Sequence, residues 1–296
     1  MRHNHVFMRF PGGVHKALTF SFDDGSDQDR WLCGLLKSLG LKGTFNLNMG
    51  LLPPHENFDF STLDDTVFPV KKWQRRLTEK EIREVFTGSG MELATHGYLH
   101  AELPRLDDDA LIWEIMQDRI ALERITGEPV RGHAYAQGAF DDRVCETLKR
   151  AGIVYARTAF FTGGFNLPKD FMRWGPSCGY CSPNAVSLAD TLIEAKPGRN
   201  KYFGDTEAML LYIFAHSYEF EVNNNYDVME SLATKLAGKD DIWYCTNMEY
   251  YNYVTAFRNL DYGLERNFVR NPSAIPVWIF VNDKVAEVPA GETVAI

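Results

Sequence analysis

The chain has 296 residues, 45% of them hydrophobic and 24% charged, with a formal net charge of −9. That balance suits a folded chain and excludes both a disordered tail, which is poorer in apolar residues, and a collagen-like repeat. The acidic excess argues against a nucleic-acid partner, which calls for a basic stripe, and against a polybasic membrane anchor. No run of about 20 apolar residues occurs, so no spanning helix is expected. The first ten residues hold no apolar run of signal-peptide length. Cys33, Cys145, Cys178, Cys181 and Cys245 are odd in number and scattered, unlike a disulfide framework. A cytoplasmic location is the expectation from these signs.

Lys16 to Phe22 reads as a buried strand running into Asp23-Asp24-Gly25, after which Ser26 or Asp27 can cap a helix from Gln28 to Leu39. Gly43 to Asn48 is a second strand, and Gly50 to Arg76 reads as an irregular insertion. Thr78 with Glu81 makes a capping box for the next helix. Met91 to Thr95 is a third strand leading into His96, followed by a long amphipathic helix from Asp107 to Thr126 stopped at Gly127. Val130 to Tyr135, a helix from Asp141 to Ala151, and the strand Ile153 to Ala156 continue the alternation. Met209 to Phe214 is a very apolar strand ending at Ala215-His216-Ser217, and a helix from Tyr226 to Leu236 precedes the strand Ile242 to Cys245. Such alternation predicts a parallel sheet covered by helices, either a barrel or an open doubly wound sheet. Ile275 to Val281 and Lys284 to Val288, joined at Asn282-Asp283, read as a terminal β-hairpin.

In parallel α/β folds the chemistry sits at the carboxyl ends of strands. Three strand ends here carry metal-type or acid–base groups: Asp23-Asp24, His96 with His100, and His216. Histidines four apart fall on one side of a helical turn and can offer two nitrogens to one ion. Two histidines and one carboxylate leave open positions, as a catalytic metal site requires. Adjacent aspartates at a strand end diverge, so one can bind metal while the other faces reacting water. Asp23 to Asp29 is no EF-hand loop, since its glycine falls too early. Cys178 and Cys181 lack a second pair for a zinc site and read as an ordinary loop. His133 reads as a packed histidine and Tyr250, Tyr251 and Tyr253 as a core cluster.

Taken together, the motifs resemble those of the polysaccharide deacetylases, the NodB-homology group of carbohydrate esterase family 4. Thr19-Phe20-Ser21-Phe22-Asp23-Asp24-Gly25 is similar to the first motif, His96-Gly97-Tyr98-Leu99-His100 to the second, and Phe214-Ala215-His216-Ser217 to the last. The resemblance implies a deformed (β/α)7-type barrel over residues 1–258, followed by a linker and β-hairpin appendix over 259–296. It implies one divalent metal, zinc before cobalt, nickel or manganese, with Asp24, His96 and His100 as ligands. Asp23 is then the general base toward a metal-bound water and His216 the general acid toward the leaving amine. An N-acetylated sugar or oligosaccharide is the implied substrate. A non-catalytic carbohydrate binder on the same fold, and a hydrolase of formyl groups or cyclic amides, are the alternatives. The third family motif, approximately Arg-x-Pro-aromatic-Gly, is altered. Anchored on Gly138, Ala134 stands in place of the arginine and Gln137 in place of the aromatic. Anchored instead on Arg131, the proline position is His133, and neither register fits the pattern; Arg173 is a candidate substitute for the arginine that pairs with the base, its alternative reading being a solvated surface charge. Tyr135 and Trp174 are expected at the oxyanion or acyl side of the site.

Overall fold

The computed structural model describes residues 5–53, 75–197 and 207–296. Most of the expected insertion from Gly50 to Arg76 lies outside the described residues. A short strand β1 (Phe7–Arg9) is followed by β2 (Lys16–Asp23), α1 (Asp29–Ser38), β3 (Thr44–Leu47), α2 (Glu79–Phe86), β4 (Glu92–Thr95) and α3 (Asp108–Thr126). Next come β5 (Gly132–Ala134), α4 (Asp142–Arg150), β6 (Tyr155–Arg157), β7 (Cys178–Gly179), α5 (Ala185–Glu194), β8 (Met209–His216), α6 (Tyr218–Val222), α7 (Tyr226–Leu236), β9 (Ile242–Tyr244) and α8 (Asn247–Arg258). The chain ends in β10 (Asp261–Tyr262), β11 (Phe268–Arg270), β12 (Val277–Val281), β13 (Lys284–Val288) and β14 (Thr293–Ala295).

Parallel strands pair in the order β6-β5-β4-β3-β2-β8-β7, with β9 beside the first residues of β2. An isolated parallel bridge between Arg157 and Trp174 links β6 to the segment leading into β7. The result is a deformed (β/α)7 barrel. Every residue of β2 is buried, as a central strand covered on both faces requires. Its alternation sorts the two layers. Leu18, Phe20 and Phe22 pack outward with Leu32 and Leu36 of α1, alongside Phe45, Leu47, Leu211 and Ile213. The other phase, Thr19, Ser21 and Asp23, faces the barrel axis, in register with Tyr212, Phe214 and His216 of β8. Below the site the axis is filled by Tyr155, Trp174, Tyr212 and Tyr250, with Phe10 stacked beneath.

The expected capping box at Thr78 and Glu81 is present, as are the Asp107 cap and the left-handed stop at Gly127. At α1 the N-cap residue is Gln28, with no side-chain cap; the Ser26 hydroxyl is bound instead to Ser217, 2.6 Å away. β6 runs one residue past the expected Ala156 to Arg157. The terminal hairpin forms with its turn at Asn282 and Asp283, both left-handed (φ 50° and 60°). It also captures β1, which pairs antiparallel with β12.

Low on the axis, Glu92 accepts hydrogen bonds from Tyr155 Oη (2.7 Å), Thr44 Oγ1 (2.8 Å) and Met248 N (2.8 Å). Burial, outweighing these donors, raises its carboxyl above the usual range. A folded value above the unfolded one of about 4.3 stabilises the fold at low pH, and that contribution is lost as pH rises through the folded value. Glu92→Gln mimics the protonated form. Urea titrations from acid to neutral pH are expected to show wild type losing stability relative to this variant; parallel profiles would refute the assignment.

Candidate active site

β2 ends in a turn that points its two carboxylates apart. Asp23 keeps the inward phase of the strand, in register with Asn46 and His216. Asp24 takes a left-handed conformation (φ 83°), its N–H donating to Asn46 O at 3.0 Å. A non-glycine residue held in this region stores strain that the surrounding structure must support. Gly25 follows (φ 68°), where a Cβ would come within 2.9 Å of the Leu47 side chain. This is the divergence expected of Asp23-Asp24-Gly25.

The His96–His100 segment is a tight loop, not the helical turn expected from the spacing: Gly97 (φ 82°) and His100 (φ 58°) are left-handed. Two acids of α3 hold its backbone. Asp118 accepts from His96 N at 2.9 Å and Met49 N at 2.8 Å, and Glu114 accepts from Leu99 N at 2.9 Å. The Asn48 amide donates to the carbonyls of His96 and Gly97, at 2.8 and 2.7 Å.

His96 Nδ1 donates to Ala134 O at 2.8 Å, which leaves Nε2 as the lone-pair nitrogen. That Nε2 is buried without a hydrogen-bond partner. It lies 4.0 Å from Asp24 Oδ1, and His100 Nε2 lies 3.7 Å from the same oxygen. The ligand atoms of Asp24, His96 and His100 all fall within 4.8 Å of one another. Two ligands bonded to one ion at about 2 Å stand roughly 3 to 4 Å apart, so the arrangement fits a divalent metal. Burial lowers the pKa of His96. Burial and then the neighbouring His96 hold His100 down at about 4. Both rings are therefore neutral, the form that binds metal.

Asp23 is 2% exposed. Its Oδ1 accepts from Asn46 Nδ2 at 2.9 Å and its Oδ2 from the Arg157 guanidinium. Burial alone would raise its carboxyl; Arg157, His96 and His216 outweigh that and hold it far below the usual range. Arg157 is 1% exposed, its guanidinium 4.3 Å from the Phe214 ring centroid. Its register partner on β5 is Ala134, which stands in place of the family arginine when the third motif is anchored on Gly138.

His216 Nε2 stands 4.0 Å from Asp23 Oδ2, and its Nδ1 is 3.2 Å from Glu219 Oε1. Burial opposes charging of this ring, but Glu219, Asp23 and Asp24 together lift its pKa above the ordinary histidine value. A buried strap joins the segments that follow β2 and β8. Ser26 is bonded to Ser217, and Ser217 Oγ donates to Asp29 Oδ1 at 2.5 Å.

The remaining expected residues fall elsewhere. Arg173 does not serve Asp23; it is a half-exposed side chain bound to Asp170 and Asp142, and Arg157 takes the place expected for it. The Tyr135 N–H is committed to Arg157 O at 3.0 Å and its hydroxyl to Met172 O at 2.8 Å, so neither is free for an oxyanion. Trp174 packs among Tyr155, Phe171, Tyr212 and Tyr250 in the barrel interior. His133 is a packed histidine, its Nδ1 2.8 Å from Thr95 Oγ1. Cys178 is buried and Cys181 exposed, both free. Arg157, Asn46, Glu219 and the α3 acids were not singled out from the sequence. The one available signal was an arginine directly after the strand-forming residues Tyr155-Ala156.

The polysaccharide deacetylase family model matches residues 12–156, about half of the chain. The matched stretch belongs to the polysaccharide deacetylase family. A candidate polysaccharide deacetylase from Mycobacterium smegmatis superposes with a TM-score of 0.53 at 16% identity, over 84% of this chain and 93% of that one; this likeness is one of fold. The Streptococcus pyogenes deacetylase PplD, solved with acetate, gives 0.40 at 20% identity over 48% of this chain. BA0330 of Bacillus anthracis gives 0.40 at 21% over 52%. The chain spans only 55% and 44% of the lengths of these last two. No curated protein sequence matches it.

Removing one partner of a buried ion pair costs about 3–5 kcal/mol, because the other charge is left uncompensated. Arg157→Met is expected to destabilise by that amount in urea unfolding. Adding Asp23→Asn to it should recover most of the loss; strictly additive losses would mean that the pair is not coupled.

Proposed function

We propose that this protein is a metal-dependent N-deacetylase acting on an N-acetylated sugar or oligosaccharide. The observation that carries the reading is the Asp24, His96 and His100 ligand set with an ionised Asp23 and a raised-pKa His216 beside it. A divalent ion, zinc by the chemistry of two imidazoles and one carboxylate, would acidify water and polarise the acyl carbonyl. The chain's own groups divide the proton work. Asp23 Oδ2 accepts the proton of the attacking water, with Asn46 and Arg157 fixing its direction. His216 Nε2 gives a proton to the departing nitrogen, which as an unprotonated amine is a poor leaving group. Glu219 keeps the His216 ring oriented and charged.

The altered third motif bears on the acyl side. Ala134 and Gln137 replace the family arginine and aromatic, and Gln137 is left-handed (φ 54°). Acetate and formate are therefore assayed separately, against N-acetylglucosamine and its oligomers. Acetate release by zinc-loaded protein is expected. Ligand binding with neither acid released would instead favour a non-catalytic carbohydrate binder.

Asp23→Asn should reduce turnover to under about 1% of wild type, with one metal per chain retained by elemental analysis. Near wild-type activity would remove Asp23 from the base role. His96→Ala and His100→Ala should each lose bound metal. Glu219→Gln removes a group that lifts the His216 pKa, so the acid form is lost earlier on titration. The alkaline limb of the pH–rate profile should move to lower pH, and an unmoved limb counts against the orienting role.

A further inference from the structure

The segment after residue 74 lies along the catalytic turn. Arg76 bridges antiparallel to Ser26, Asp27 N donates to Arg75 O at 2.8 Å, and Leu77 N donates to Gly25 O at 2.9 Å. This pins the Arg76 side chain over the end of β2, where it is only 15% exposed. Its Nη1 donates to Asn48 Oδ1 at 2.9 Å and to the Asp24 carbonyl. Its Nη2 is 3.2 Å from Asp24 Oδ1, the same oxygen that faces His96 and His100.

The charge balance of the site follows. Asp23 is matched by Arg157 and Asp24 by Arg76. Asp29, a further buried acid near this turn, has its carboxyl bonded to Ser217. Each carboxylate at the strand end therefore has its own cation before any ion enters. A dication sharing Asp24 Oδ1 meets an oxygen already accepting from a guanidinium, and a fixed positive charge beside it. Neutral imidazoles offer no charge to offset this.

Resting on the metal reading above, we infer that Arg76 is a resident counter-ion of Asp24 that competes with the divalent ion and sets the site to a weak, exchangeable affinity. It is a tuning residue, not a ligand.

The test is an equilibrium zinc titration against a competing chelator, with no turnover required. Arg76→Met is expected to lower the zinc Kd at least tenfold, and Arg76→Lys, which keeps the charge, to stay within threefold of wild type. Circular dichroism and apo-protein melting check the fold; if R76M does not fold, Arg76→Gln makes the same comparison. Unchanged or weaker zinc binding in the neutral variant overturns the inference, because Arg76 then organises the ligand set. Tightening by R76K equal to that of R76M also overturns it, because charge is then not the cause. If neither wild type nor the variants bind zinc, the metal reading itself falls and the inference with it.

Discussion

A carboxylate inside a barrel must be paired, and the Asp23–Arg157 contact is where this fold meets that demand. Isolated burial of the charge would cost far more than a domain's whole net stability or would drive the group neutral. Arg157 meets Asp23 from across the axis with its flat face on Phe214. The same residue bridges by its backbone to Trp174, and Thr158 N donates to Trp174 O at 2.9 Å. Drawing the two sides of the barrel together and holding the ionised Asp23 are thus one structural event. The third-motif change at Ala134 is compatible with a complete site because the guanidinium arrives from the neighbouring strand at the same level.

Around that pair, environment assigns roles to side chains of one type. His96 is pushed toward the neutral form by burial and His100 by burial and the neighbouring His96, whereas His216 is pulled toward the charged form by Glu219 and the aspartates. Three imidazoles at one strand-end surface thus differ in protonation, two biased toward the neutral form and one toward the charged form. Separation of titratable groups in this way is the physical signature of a site arranged for acid–base chemistry.

Most of the fold was legible because the strands here advertise both faces. In Lys16 to Asp23 the outward Leu18, Phe20 and Phe22 alternate with the inward Thr19, Ser21 and Asp23, and the caps at Thr78, Asp107 and Gly127 obey local chemistry. The groups at strand ends were legible for the same reason, since position on a strand and residue type together declare them. Arg157 was not, because its meaning depends on β5 and β6 being neighbours in register, which no local pattern states. Arg173 looked equivalent in sequence and differs only in which way its segment turns. The loop from His96 to His100 shows the converse: a helical spacing was realised by left-handed residues, held by Asp118 and Glu114 from the helix that follows it.

The central position of β2 has a kinetic consequence. Its full-length neighbour is β8, which pairs Lys16 with Met209 and Asp23 with His216; on its other edge β3 pairs its last residues and β9 its first, Lys16 with Ile242. The contacts with β8 and β9 close loops of roughly two thirds to three quarters of the chain, and high sequence separation slows folding. A chain emerging from the ribosome displays β2 with β3 close behind but long before β8 and β9, so the edge that β8 covers stays open to other chains in the meantime. Aggregation during synthesis is the hazard that this topology carries.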